Sequence, residues 1–218
     1  MSWTYYWADG GSTAQPAYFQ HTYNNCAIGC GPVAWAILFG WADYQAAHGN
    51  AYWAPAWGLY RENGGRGPNA VAPLVQDQGV QNVTQELHGQ MATWCWNGSG
   101  ATWPGAMIGA MQYVTGRSWT ALATSSSLLG FPLFPPRLAV IGSLMFRRTP
   151  AIIGTGFLEH YPVAYGYAWQ VVLVRRSWWI FTWLEPQRQE LFYVNQGWGG
   201  PGNDWVDAHT WFAGVIFP

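Results

Sequence analysis

The stretch Cys30–His48 constrains the fold of this chain more than any other. Val33, Ile37, Leu38 and Trp41 recur at helical spacing, and Ala34, Ala36 and Phe39 fill the gaps between them, so the predicted helix is apolar around most of its circumference. A helix without a polar face has to be surrounded, which makes it a central, buried element. Gly49-Asn50 stops it, and Pro32 suits its first turn, where a missing N–H costs no hydrogen bond. With 218 residues, 50% hydrophobic and 9% charged, the chain has enough apolar material to enclose such a helix in one domain or two closely packed lobes.

The remainder changes character along its length. Residues 1–29, rich in Gly, Thr, Asn and Tyr without periodicity, read as an extended lead-in over the surface. After a break at Gly64–Pro68, a second helix is predicted from Pro68 to about Met91, weakened at Gly79. Thr102-Trp103-Pro104 starts a third, through Met107, Met111 and Val114 to Gly116. Thr124–Pro136, Ser-rich and then Pro-rich, is the candidate boundary between lobes, and Arg137–Arg148 reads as one more helix. Beyond Thr149-Pro150 the segments Ala151–Thr155, His160–Trp169, Gln170–Arg175, Trp178–Trp183 and Leu191–Asn195 are rich in Val, Ile, Tyr, Phe and Trp and read as antiparallel strands. Helices first and strands later predict an α+β fold. A mainly helical lobe spans 1–130 and a mainly antiparallel β lobe 131–218, together one domain without internal repeats.

Net charge near −1 gives no electrostatic reason to expect nucleic acid or an anionic membrane as partner. The basic residues are all arginine; drift in a GC-rich genome and avoidance of lysine modification in a protein that enters host cells both account for that. The longest apolar stretches, such as Cys30–Ala42 and Leu138–Phe146, are shorter than the roughly 20 residues a membrane-spanning helix needs, so no transmembrane segment is expected. Met1–Gln20 lacks the basic start and apolar run of a signal peptide. The localisation reading is secretion after removal of a leader, with a cytoplasmic site left open. Three cysteines allow one internal bridge; Cys26 with Cys95 is favoured, leaving Cys30 free, and three reduced thiols are the alternative. Asn82-Val83-Thr84 and Asn97-Gly98-Ser99 would accept glycans only in a eukaryotic secretory route.

Gly29-Cys30-Gly31-Pro32 places a thiol at the start of the central helix, where unpaired N–H groups and the positive end of the dipole stabilise a thiolate. Most free cysteines are small buried hydrophobes, so position alone does not make a nucleophile. Thiol chemistry also needs a histidine, a group that orients it and donors for an oxyanion. His160, in Glu159-His160-Tyr161-Pro162, opens a predicted strand that ends in Gly166-Tyr167. His21 is its nearest rival; His48, His88 and His209 fall at predicted helix ends or in a loop. Asn195 leaves another strand into Gln196-Gly197-Trp198-Gly199-Gly200, where an Asn side chain can accept the imidazole N–H and an indole can shield that bond. The plainer reading of Asn195 is a residue that turns favour anywhere.

Taken in order, Gln20, Cys30, His160 and Asn195 resemble the papain-like cysteine peptidases, most of all their bacterial streptopain-like and C39-like branches. Cys30-Gly31-Pro32 looks like the C39-like helix start. Gln20, Tyr23-Asn24, Cys26 before Gly29-Cys30, and Asn195 to Gly200 look like the streptopain-like pattern. The resemblance implies a papain-like fold, with the Cys-bearing helix packed on the β lobe. It further implies Cys30 as nucleophile, His160 as general base and acid, Asn195 as its orienter, and Gln20 with the Cys30 N–H as the oxyanion hole. Tyr23, Asn24, Gly29, Glu159 and Trp198 are cleft candidates. In papain the Gln precedes the Cys by six residues, which here would pair Gln20 with Cys26, so Cys26 is the alternative nucleophile.

The mechanism implied is an acyl-enzyme route through a thiolate–imidazolium pair, with a peptide or protein as substrate and no cofactor. No Cys/His cluster has zinc spacing. The aromatic content suggests cleft walls that favour apolar or aromatic side chains. Rival readings are a toxin, acyltransferase or deamidase using the same residues, and a non-enzymatic aromatic-rich binding module. The oligomeric state is not legible.

Overall fold

The computed structural model describes residues 2–54, 61–62, 65–66, 72–114, 120–125, 135–156 and 160–218. The fold is α+β. In chain order the N-terminal elements are β1 (Thr4–Trp7), β2 (Thr22–Tyr23), β3 (Cys26–Ala27) and α1 (Cys30–Ala47). As the apolar pattern requires, α1 is enclosed: Gly31 to Asp43 are all buried, with Trp35, Ile37, Leu38 and Trp41 sealed completely. Burial of each of these four side chains is worth roughly 1.5–3 kcal/mol, so α1 anchors the core.

β4 (Arg61–Glu62) and β5 (Gly65–Arg66) form a two-stranded hairpin, followed by α2 (Gln78–Gln90). The second helix therefore starts later than the sequence predicts. Asp77 sets the start: its Oδ1 accepts the Val80 N–H at 2.9 Å, satisfying a first-turn donor. The predicted start at Pro68 lies outside the described residues. β6 (Trp94–Trp96) and β7 (Ser99–Ala101) make a hairpin inside the half read as helical, turning on Asn97 and Gly98, both at positive φ. The third helix forms a 3₁₀ segment over Pro104–Ala110 and only then α3 (Met111–Val114). Gly109 lies so close to α2 that a Cβ there would fall 2.3 Å from the Gln90 carbonyl.

β8 (Thr120–Ser125) precedes α4 (Pro136–Gly142), which continues as a π-helical turn over Ser143–Arg147 and ends at Arg148, φ 53°. Then come β9 (Ala151–Ile153), β10 (Val163–Trp178), β11 (Phe181–Asn195), β12 (Asp204–Asp207) and β13 (Phe212–Phe217). The main sheet has seven strands in the order β12-β11-β10-β9-β13-β8, with β1 beside β9 on the same edge of β10, and every pairing is antiparallel. Residues 1–29 are thus more than a surface lead-in, because β1 joins the sheet. The four strands predicted between His160 and Asn195 are two long ones, β10 and β11, closed by a turn at Trp179-Ile180. Pro186 lies within β11. It is accommodated opposite Leu173 on a strand with no outer neighbour at that point, so no ladder hydrogen bond is lost.

No helix among the described residues is long and apolar enough to cross a membrane.

Candidate active site

Three segments converge on the first turn of α1. The first is the β2–β3 hairpin, which reverses through Asn24 (φ 51°) and Asn25 (φ 61°), the left-handed pair a tight hairpin turn requires. Thr22 pairs with Ala27 and Tyr23 with Cys26, and the Ile28 N–H continues the ladder to the His21 carbonyl at 2.9 Å. Gln20, half-buried, immediately precedes this ladder. The hairpin occupies most of the stretch between Gln20 and Cys30. Gly29 caps the helix at φ 102°, and a Cβ on it would lie 3.0 Å from the Gly100 carbonyl oxygen, so glycine is required on both counts.

Cys26 is bonded to Cys95, which pins the β6–β7 hairpin to β3 and removes Cys26 as a nucleophile. Cys30 is the free cysteine. The backbone N–H groups of Tyr161, Cys30 and Gly31 face its thiol and favour the thiolate. Burial nevertheless dominates those contacts and pushes the thiol above its usual 9.0.

The second segment carries His160, which precedes β10 and pairs by backbone with Thr155. Its Nε2 lies 2.9 Å from the Gln196 carbonyl oxygen. A carbonyl only accepts, so Nε2 carries the hydrogen and, in the neutral ring, Nδ1 is the free base. Burial lowers the imidazole below its usual 6.5 against opposing contacts from the Gln196 carbonyl and side chain. The shifts of Cys30 and His160 both favour an uncharged thiol and an uncharged imidazole at rest, not the expected ion pair.

The third segment is the turn after β11. Asn195 is 1% exposed; its Nδ2 donates to the Pro16 carbonyl at 2.9 Å and its Oδ1 accepts the Gly197 N–H at 3.0 Å. Both ends of the Asn195 side chain therefore hold backbone, and the group that meets the His160 ring is the carbonyl of Gln196, one residue on. Gly197 packs on α1, where a Cβ would stand 3.2 Å from Val33 Cγ1. The Trp198 ring then stacks on His160 with centroids 5.5 Å apart, and its backbone bridges to Phe19.

Cys30 opens into a cavity of about 420 Å³ walled by the indoles of Trp94, Trp96 and Trp103, by Thr102 and Pro104, and by Tyr161. Tyr161 is the residue that sequence reading missed: its N–H reaches the thiol and its hydroxyl donates to the Thr102 carbonyl at 3.2 Å. No signal in the sequence separates it from the other core aromatics. A second cavity, about 470 Å³, has Gln196, Thr155 and Trp211 in its wall.

Other candidates go elsewhere. Tyr23 packs edge-on against His88 with centroids 5.4 Å apart, and Asn24 is spent on the hairpin turn, so neither lines the cavity at Cys30. His21 lies against Gln85 of α2, and His48 stacks on Tyr44. Glu159 lies outside the described residues. Among the described residues no group of three or more His, Cys, Asp or Glu side chains could hold a metal ion. No family model, curated protein or solved structure matches the chain.

Proposed function

We propose that the protein is a papain-like cysteine peptidase that cleaves peptide bonds beside apolar or aromatic side chains. The observation that supports this reading is a free thiol at the start of a buried helix, sharing its cavity with Tyr161, the residue that follows His160, whose Nε2 is held by the Gln196 carbonyl. His160 Nδ1 takes the Cys30 proton as sulfur attacks the carbonyl carbon, and the carbonyl π pair moves to oxygen. The Cys30 N–H and the Gln20 side chain receive that oxyanion. When the oxyanion collapses, the C–N bond breaks, the imidazolium delivers its proton to the departing amine and a thioester remains. Water, deprotonated by the same nitrogen, then releases the acid and restores the thiol.

In this reading Asn195 is a positioning residue. It ties the Pro16 backbone to the turn that presents Gln196 and Trp198, so its effect on the imidazole is indirect. The helical elements and the main sheet act as the two lobes. The Cys26–Cys95 bridge supports an extracytoplasmic, oxidising setting.

A peptidyl fluoromethyl ketone carrying Phe next to the reactive carbon tests the assignment. Expected is a single adduct at Cys30 that is lost in His160→Ala, together with hydrolysis of Phe-containing peptides. The exposed indoles around the cavity also fit a non-enzymatic binding module. That alternative replaces the peptidase if Cys30 reacts equally in wild type and His160→Ala and no peptide is cleaved.

A further inference from the structure

Beyond Trp169 and Glu190, β10 and β11 leave the sheet and continue as a two-stranded ribbon paired as far as Trp178 and Phe181. Nine residues of each strand at about 3.3 Å apiece make it roughly 30 Å long. Two-stranded ribbons are marginal in water, and this one ends in its least water-compatible residues. Trp178, Trp179, Ile180 and Phe181 form the tip, and Trp183 and Leu184 stand just behind it, all exposed. Trp179 is 92% exposed. Its φ is +56° while Ile180 has none in the positive range, the pattern of a hairpin turn whose first central position is normally glycine. A bulky indole is therefore held outward in a conformation that it disfavours.

We propose that this ribbon tip docks on an anionic lipid bilayer, with the aromatic residues entering the interfacial layer and the arginines behind them meeting lipid phosphates. Trp is favoured at that depth because its ring is apolar while its N–H is polar. Arg175 and Arg176 stand opposite Leu184 and Trp183, two to four residues behind the turn. That places them about 7–13 Å behind the tip, close to the 5–10 Å to which interfacial segments bury their apolar face. Arg188 lies further back over the Trp169 ring. Glu185, paired with Arg176, is the one carboxylate on the free ribbon, so the ribbon is locally positive on a chain whose net charge is near −1. Among the described residues Arg175 has no acidic partner. Pro186 has no N–H to offer along the outer edge of β11, which argues against a second copy pairing there.

Flotation of the full chain with vesicles of phosphatidylcholine and phosphatidylserine, against phosphatidylcholine alone, tests the proposal. Wild type is expected to float with the mixed vesicles and to be released by salt. Trp179→Gly should melt at or above the wild-type temperature, since glycine suits the turn, yet bind at least about tenfold more weakly. Arg175→Gln/Arg176→Gln should lose most of the preference for phosphatidylserine, about fivefold per charge. Absence of wild-type binding, equal binding to both vesicle types, or undiminished binding of Trp179→Gly would each overturn it. So would a dimer in sedimentation equilibrium that Trp179→Gly dissolves, which would assign the tip to a second copy. Cleavage of a soluble peptide is expected to be the same in wild type and Trp179→Gly, so loss of vesicle binding and failure of the peptidase reading are separate results.

Discussion

Replacing Asn195 with Ala separates a residue that orients the imidazole from one that holds the backbone around it. The Asn195 side chain makes two buried hydrogen bonds, to the Pro16 carbonyl and from the Gly197 N–H. Truncation costs the Pro16 carbonyl and the Gly197 N–H these partners at about 1–3 kcal/mol apiece, reduced where water enters the space left behind. The expected loss is about 2–4 kcal/mol, which for a chain of this size lowers the melting temperature by on the order of 10 °C. Circular dichroism melts and kcat/KM measured well below both melting temperatures read the two effects separately. Because His160 keeps the Gln196 carbonyl, the folded fraction should retain kcat within about tenfold and an unchanged acid limb. A variant as stable as wild type that loses more than about a hundredfold in kcat, with its acid limb displaced, would refute the reasoning and restore Asn195 as the orienter.

The proposed mechanism needs one proton shared between Cys30 and His160, so activity should fall at low pH when the imidazole gains a second proton and at high pH when the pair loses its last. Burial lowers the first pKa below 6.5 and raises the second above 9.0, so kcat/KM should plateau across that whole window. At neutral pH, iodoacetamide should label resting Cys30 slowly, as a buried thiol; fast labelling below pH 7 would show an ion pair instead. Gln196→Ala keeps the carbonyl but removes a side chain that raises the His160 pKa, so the acid limb should move to lower pH with little change in melting temperature. Gly29→Ala should destabilise by about 1–3 kcal/mol through its φ of 102° alone, more if the Gly100 carbonyl cannot yield, as urea titration would measure. Cys26→Ser/Cys95→Ser opens a loop between residues 69 apart and should cost about 4 kcal/mol by loop-closure entropy, read by the same titration.

The sequence declared its most local features and hid those that depend on partners far away. α1 was legible because the Val33–Trp41 pattern has no polar face, and its thiol because Gly29-Cys30-Gly31-Pro32 marks a helix start. The Cys26–Cys95 bridge was the favoured pairing, while its structural consequence, a Trp-bearing hairpin clamped beside Cys30, was not foreseen. Nothing local distinguishes Trp94-Cys95-Trp96 from a segment between helices; parallel pairing of Ala27 with Ser99 makes it a strand pair. β1, β8 and β13 were missed for the same reason, each being short and stabilised by neighbours distant in sequence. That the imidazole meets the Gln196 carbonyl and not the Asn195 side chain is a difference of one residue inside a turn that packs on α1 through Gly197, which no local pattern reveals.

The strand order imposes a timetable on folding. β13 lies between β9 and β8, while β1 borders β10, so the sheet closes only through long-range pairings, from Ala213 with Ile153, 60 residues apart, to Thr4 with Trp169, 165 apart. Contacts of such sequence separation form slowly, because the chain loses loop entropy before it gains hydrogen bonds. Cys30 is synthesised before the Gln196 carbonyl that holds the His160 ring and before β13, the strand backing β9. During synthesis and refolding, then, Cys26, Cys30 and Cys95 are all present, and have to be sorted into one bridge and one free sulfur, before the main sheet has closed.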